Sequence, residues 1–432
     1  MTTHPGETSV AAPAWRARIW PILWAILGAY LIVRTGVRDR GVITDHLEFG
    51  RRVLQGLDLY APFAGSDYLH PPYPPSFGLM TAPFSLLPER VARFAWGTLQ
   101  VGCIWILALR ARDLARVYAP AIAHKQHWLF LFIAVLTSRY LLRDTHGGGG
   151  NLINLALILS ALELARRGQE IGGGILLGIS LATKPVAVLV LPLMWLLGHR
   201  RAPNVAILTA VACMAAALSL LGQGLAPFLQ WFDGSVAYAT MPDLFATPAL
   251  GFPEFSWMNQ CLRCCVARFL CEVPPELAAE VPGFTQGLGL TPSSASLVTR
   301  ITSLLLAALT FLVIWRGRRV AAARPAWIAA VLALSLLLSP ISWKAHHVGL
   351  IPAFALLGCL ALSRRQWPWV LAVIYFGACV VGEQFVGKEL KNVQQSYYFT
   401  TIGTLALLAT CLLLGSQARA GSAPLQSEST GR

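Results

Sequence analysis

The sequence predicts an all-α polytopic membrane protein, and three observations carry that prediction. Of 432 residues, 56% are hydrophobic and only 12% are charged, whereas a soluble domain carries about 25% charged residues. Apolar runs of roughly 16–22 residues recur along nearly the whole chain, a length that crosses a hydrocarbon layer about 30 Å thick. The runs are continuous rather than alternating, which excludes a barrel and calls for helices that satisfy their own backbone groups. The net charge of +14 would point to nucleic acid in a soluble chain. Here the basic residues sit in short clusters between apolar runs, the positive-inside pattern, so no nucleic-acid partner is expected.

The first run, Ile19 to Val33, has no small-residue cleavage site and reads as a retained signal-anchor. Basic clusters at Arg16/Arg18, Arg110/Arg112/Arg116, Arg166/Arg167, Arg200/Arg201, Arg316/Arg318/Arg319 and Arg364/Arg365 place their loops in the cytoplasm. The spans between them are 19–34, 91–109, 127–142, 151–165, 171–183, 186–198, 204–222, 298–315, 326–341, 347–362, 367–383 and 399–415. That is about twelve, with both termini cytoplasmic. The pair flanking Lys184-Pro185 is short enough for a re-entrant hairpin, and 76–87 reads as a half-helix at the outer surface. Residues 17–415 form the transmembrane domain, between a cytoplasmic tail at 1–16 and a disordered cytoplasmic tail at 416–432.

The outward pieces are 35–90, 143–150, 184–185, 223–297, 342–346 and 384–398, and they hold almost every polar feature outside the arginine clusters. A working surface on the outer side is expected, and the excess of arginine over lysine fits a bacterial cytoplasmic membrane. Four of the nine cysteines, Cys261, Cys264, Cys265 and Cys271, crowd one outer loop and allow up to two disulfides in three pairings. The other five lie in apolar runs as small hydrophobes. "CLRCC" has no second cysteine pair and no nearby histidine, so no metal is expected there.

Residues 44–60, "TDHLEFGRRVLQGLDLY", set Asp45 at the expected N-cap of an amphipathic surface helix. Asp45 either caps that helix or acts as a general base that takes a hydroxyl proton. Glu48, one turn later, is a second candidate base, and Asp58 and Asp67 read as turn residues. In "YLHPPYPPSFGLMTAPFSLLP" the prolines fix a stiff path and Tyr73 suits a pocket wall or the interfacial aromatic belt. "RDTHGGGGNLIN" allows close backbone approach, with Asn151 and Asn154 opening a span.

Lys184 in "LATKPVAVL" is the most informative residue. An ionisable group in an apolar run is costly, and the proline after it frees backbone groups. Lys184 therefore either meets an anion such as phosphate, which satisfies both, or snorkels from a short helix end to the outer interface. "SWMNQCLRCCVARFLC" offers Asn259, Gln260 and Arg263 as donors to hydroxyls or phosphate. "SPISWKAHH" offers Lys344, His346 and His347, either as interfacial anchors or as donors to phosphate. Carboxylates at one place and cations or amides at four others suit displacement of a phosphate leaving group by a hydroxyl. Without a glycine-rich nucleotide motif, a lipid-linked phosphate is the expected donor.

The order "DHLEFGRRVLQGLDLY", "HPPYPPSFGLMTAPFSLLP", a Gly-Asn step, "GISLATKP", "MNQCLR" and "LLSPISWKAHH" resembles glycosyltransferase family 87 of the GT-C superfamily, over about residues 20–415. The resemblance implies a GT-C fold with catalytic outer loops. It also implies a metal- and cofactor-free, inverting, single-displacement transfer, most often of mannose, from a β-linked polyprenyl-phosphate sugar. The acceptor would be a hydroxyl of a lipid or glycan outside the cytoplasm. By the same resemblance Asp45 is the base and His346 or His347 meets the donor. Lys184, Lys344 and Arg143 are expected to join the histidines around the donor phosphate, and Tyr73, Asn151, Asn259, Gln260 and Arg263 to contact sugar or acceptor. Two places depart from the family pattern: Gly148-Gly149-Gly150-Asn151 lacks a glutamine, and Cys261 stands where serine follows Asn259-Gln260. The chain is expected to act as a monomer. A secondary transporter or lipid-sugar flippase, or a polymerase or ligase using a pyrophosphate-linked donor, are the competing readings.

Overall fold

The computed structural model describes residues 14–38, 41–61, 72–117, 122, 125–243, 245, 255–363 and 365–421. The expected features at Asp67 and Arg364, and most of both tails, lie outside these. The described residues form eighteen α-helices: α1 (Ala14–Gly36), α2 (Val42–Gln55), α3 (Phe77–Ser85), α4 (Glu89–Arg116), α5 (Gln126–Gly147), α6 (Asn151–Arg166), α7 (Glu170–Thr183), α8 (Val190–Leu196), α9 (Arg201–Leu221), α10 (Ala226–Thr240), α11 (Leu262–Leu270), α12 (Pro275–Ala279), α13 (Pro292–Gly317), α14 (Arg324–Leu338), α15 (Ile351–Leu362), α16 (Trp367–Tyr375), α17 (Glu383–Ser396) and α18 (Phe399–Gly421). No β-strand is present among them beyond one isolated bridge between Cys271 and Leu290. The chain is an all-α polytopic membrane protein.

Seven helical segments are long and apolar enough to cross a membrane, and nine if each of two bent pairs counts as one span. The expected twelve counted α5 and α6 separately, but they form one such pair, bent by 114°. It also counted α7 and the segment Pro185–Leu196, which are shorter apolar helices. At 1.5 Å per residue the fourteen residues of α7 reach about 21 Å, short of the hydrocarbon thickness. The expected outer segment 384–398 is largely helical, as α17, set at 79° to the α16 segment. Residues 416–421, expected in the disordered tail, belong to α18, which continues to Gly421.

Burial separates an inner pair from a rim. The windows of the spans ending α14 and α15 are 78% and 83% buried, whereas those of α1, α9 and α13 are only 17% buried. Apolar helices with so little protein around them face lipid, while α14 and α15 form the centre against α4, α5 and α18. α7 packs on α9 through Gly174 and Gly178. A Cβ at these positions would stand 2.7 Å from the Ala202 carbonyl oxygen and 2.6 Å from that of Ala206. The small-xxx-small spacing lets the two backbones touch. α5 ends on Gly148, whose φ of 67° is the left-handed conformation glycine tolerates. The chain turns there and re-enters as α6.

Candidate active site

The break at Lys184 organises the site. Pro185 lacks the amide hydrogen needed to continue α7. Lys184 leaves the helix extended, at φ −146° and ψ 104°, and a 3-10 turn follows at Pro185–Leu189. The Lys184 side chain is buried. Its Nζ donates to Asn151 Oδ1 at 3.1 Å and stands 5.2 Å from the centre of the Tyr73 ring, a cation–π contact.

Asn151 is the first residue of α6, and its side-chain nitrogen donates to Asp144 Oδ1 at 2.7 Å. Asp144 is wholly buried in the last turn of α5. Its carboxylate also accepts the backbone amides of Asn151 at 3.4 Å and Leu152 at 3.0 Å, so it caps α6 from the preceding helix. Gln100 of α4 donates to the Gly149 carbonyl at 2.5 Å and holds the glycine turn in place.

Tyr73 stacks on Phe77, with ring centres 4.2 Å apart, and its hydroxyl lies 3.2 Å from His46 Nε2. His46 is wholly buried between Phe77 and Trp96. Burial, and then the charge of Lys184, hold its pKa well below the ordinary histidine value. Asp45 precedes it and is 2% exposed. The expected N-cap role is corrected: α2 starts at Val42, Gly41 is its N-cap, and Asp45 lies in the first turn. The expected surface helix also buries one face, with Phe49 and Val53 clustered with Phe77 of α3 and Ile43 in the main core. Glu48 is engaged by Arg51 at 2.5 Å and Arg52 at 3.1 Å. Asp58 does form a turn, accepting the Tyr60 amide at 2.9 Å.

A cavity of about 480 Å³ opens beside Lys184. Its polar wall carries Tyr73, Lys184, Ser339 and His346, and Val186, Val188, Leu189, Phe232 and Leu338 supply apolar surface. His346 Nδ1 accepts the Trp343 amide at 3.1 Å, which leaves Nε2 as the ring N–H of the neutral tautomer. His347 turns the other way: it is buried, its ring 5.4 Å from that of Tyr140 and its Nδ1 3.2 Å from the Trp343 carbonyl.

The remaining expected residues lie elsewhere. Asn259 accepts the Ser342 amide at 2.8 Å and donates to the Pro340 carbonyl at 3.0 Å. Gln260 donates its backbone amide to the Ser342 carbonyl at 2.9 Å and its side chain to the carbonyls of Trp257 and Gln395. Asn259 by its side chain and Gln260 by its backbone amide brace the loop that carries His346, and neither lines the cavity. Arg263 is likewise buried, donating to the carbonyls of Tyr238 and Met241 at the end of α10. Lys344 donates to Gln395 Oε1 of α17. Arg143 is exposed on α5. Cys261, Cys264, Cys265 and Cys271 are buried thiols, with Cys261 Sγ accepting the Cys264 amide at 3.3 Å as the N-cap of α11. Among the described residues, then, the cavity joins Tyr73, Lys184 and His346, and Asn151 touches Lys184; Asp45 does not line the cavity, and it is its sequence neighbour His46 that meets Tyr73.

A profile of glycosyltransferase family 87 matches residues 72–340, more than half of the chain. The chain belongs to glycosyltransferase family 87. The match takes in Tyr73, Asp144, Asn151 and Lys184, and ends at Pro340, where the loop bearing His346 begins. This glycosyltransferase is also similar to the polyprenol-phosphate-mannose-dependent α-(1-2)-phosphatidylinositol pentamannoside mannosyltransferase of Mycolicibacterium smegmatis. The two are 25% identical over 361 residues, 79% of this chain and 75% of the relative. Family membership sets aside the transporter reading of the same polar groups.

Three members of the site escaped sequence reasoning. Asp144 was detectable by the rule that singled out Lys184, since it is an acid closing an apolar run. His46 stood beside the suspected base in sequence. Gln100 had no local signal, because a lone glutamine within a span gains meaning only from the glycine turn packed against it.

Proposed function

We propose that this membrane glycosyltransferase moves mannose from a β-linked polyprenyl-phosphate sugar to a hydroxyl of a lipid or glycan acceptor, with inversion. Transfer takes place on the outer face of a bacterial cytoplasmic membrane, both termini are cytoplasmic, and the chain acts as a monomer without metal or cofactor. The observation that carries this reading is the cavity on which Lys184 and His346 share a wall with apolar surface. A phosphate attached to an isoprenoid needs that combination: cationic and N–H donors for its oxygens, and a greasy channel for its chain.

In the reaction the acceptor oxygen attacks C1 of the sugar while the C1–O bond to phosphate breaks. The bonding pair leaves with the phosphate, and the hydroxyl proton passes to Asp45. Lys184 and the His346 Nε2–H stabilise the charge that grows on the leaving oxygen. Tyr73 and Asn151 fix the ammonium from two sides. Asp144 holds Asn151, and Asn259 with Gln260 holds the loop of His346. These are positioning residues. Support for the mannosyl donor comes from the similarity to a polyprenol-phosphate-mannose-dependent relative.

The test is transfer of radiolabelled mannose from polyprenyl phosphate to lipid extract by purified protein in liposomes, with glucosyl and pyrophosphate-linked donors in parallel. Transfer from the mannosyl monophosphate alone, giving an α-linked product, is expected. A preference for a pyrophosphate-linked donor would overturn the assignment.

A further inference from the structure

A second cavity, of about 700 Å³, lies at the other end of the helices that build the active site. α4 runs to it from Gln100, α6 from Asn151, and α14 leads back from it toward Pro340. Six guanidinium groups line it: Arg110, Arg112 and Arg116 of α4, Arg166 and Arg167 at the end of α6, and Arg324 opening α14. Among the described residues only two carboxylates answer them. Asp113 is shared by three arginines, at 3.1 Å from Arg112 and 3.7 and 3.8 Å from Arg110 and Arg116. Glu163 is taken by Arg166 and Arg167 at 2.7 and 2.6 Å. Four positive charges are left in excess. The Nε atoms of Arg110, Arg116 and Arg324 are buried and have no hydrogen-bond partner, a cost that an anionic oxygen would remove. Apart from His199 the rest of the wall is apolar, with Leu114, Val117, Leu159, Leu162 and Ile328.

We propose that this cavity binds the phosphate of an anionic phospholipid, with its acyl chains along the apolar wall. Guanidinium forks match phosphate oxygens, and basic pockets between membrane helices take anionic headgroups. A free anion would use the arginines but not the leucines. The site shares no residue with the active-site cavity, so it stands apart from the donor reading.

The experiment titrates dioctanoyl phosphatidylglycerol into the full-length protein in neutral detergent and follows the unfolding temperature. Dioctanoyl phosphatidylcholine and sodium phosphate are the comparisons. A saturable rise is expected with phosphatidylglycerol and not with the other two. The triple variant R110Q/R116Q/R324Q should weaken the midpoint on the order of a hundred-fold. Asp113→Asn should tighten it, an effect that poor folding cannot imitate. An equal rise with phosphatidylcholine, or an unmoved midpoint in either variant, would overturn the proposal. An equal rise with phosphate alone would overturn the lipid assignment.

Discussion

Lys184 Nζ lies 3.1 Å from Asn151 Oδ1. The nitrogen of the same amide lies 2.7 Å from Asp144 Oδ1, so a neutral group separates the lysine from the acid. Among the described residues no ion pair within 4 Å ties Lys184 to a carboxylate. The lysine is held in place yet keeps donors for an incoming phosphate.

Lys184→Gln keeps an N–H donor on a side chain one bond shorter and removes the cation. Turnover should fall by about a hundred-fold or more, as when a donor to a developing oxyanion is lost. Asn151→Ala should chiefly raise the donor KM, because the ammonium remains but is no longer aimed. Steady-state transfer kinetics separate the two, and wild-type turnover in K184Q would remove Lys184 from the mechanism.

The two acids of α2 should respond differently. Asp45→Asn is expected to lower turnover by about a hundred- to ten-thousand-fold with little change in donor KM. Glu48→Gln removes a partner of Arg51 and Arg52. It should leave turnover within about two-fold and cost no more than ~1 kcal/mol. Near-normal transfer by D45N would transfer the base role elsewhere.

His46 makes stability depend on pH. Its folded pKa lies well below the unfolded value of about 6.5, because burial and the nearby Lys184 disfavour the charged ring. Its contribution is complete above pH 6.5 and is lost as the pH falls below that value. The melting temperature should therefore drop on acidification from pH 7 to pH 5. His46→Gln, whose amide can still reach the Tyr73 hydroxyl, should flatten that slope, and a parallel slope in H46Q would assign the drop to other groups.

Gly178→Ala tests the close approach of α7 and α9. The new Cβ would meet the Ala206 carbonyl oxygen at 2.6 Å and Thr209 Cβ at 2.5 Å. The helices must then separate, at about 1–3 kcal/mol, and Lys184, which follows α7, should move with them. Gly172→Ala is the control, since its nearest neighbour would be Leu164 Cδ1 at 3.5 Å. It should hold or slightly raise the melting temperature through helix propensity.

The lysine-proline break was legible because a charge and a missing donor within an apolar run both demand compensation, whatever the tertiary context. The short helix α3 and the turn at Asp58 were legible for similar local reasons. Other features depended on packing. Which histidine faces the cavity is set by the rotation of the 3-10 segment Lys344–Leu350, and residue types do not encode that rotation. Asn259 and Gln260 brace a loop in ways that residue type does not announce, since an amide serves a backbone loop as well as a sugar. The span count changed at the glycine turn, where permissive backbone allows either two full crossings or one sharply bent pair.

Asp144 has a consequence for substrate placement. The first amides of a helix form an attractive berth for phosphate, and at α6 that berth is already filled by the protein's own carboxylate. On the proposed reading, an arriving phosphate is turned away from that helix end and toward the side chains of Lys184 and His346. On the same reading, release of the spent carrier breaks contacts to two side chains, without the larger disruption of leaving a ring of rigid backbone donors.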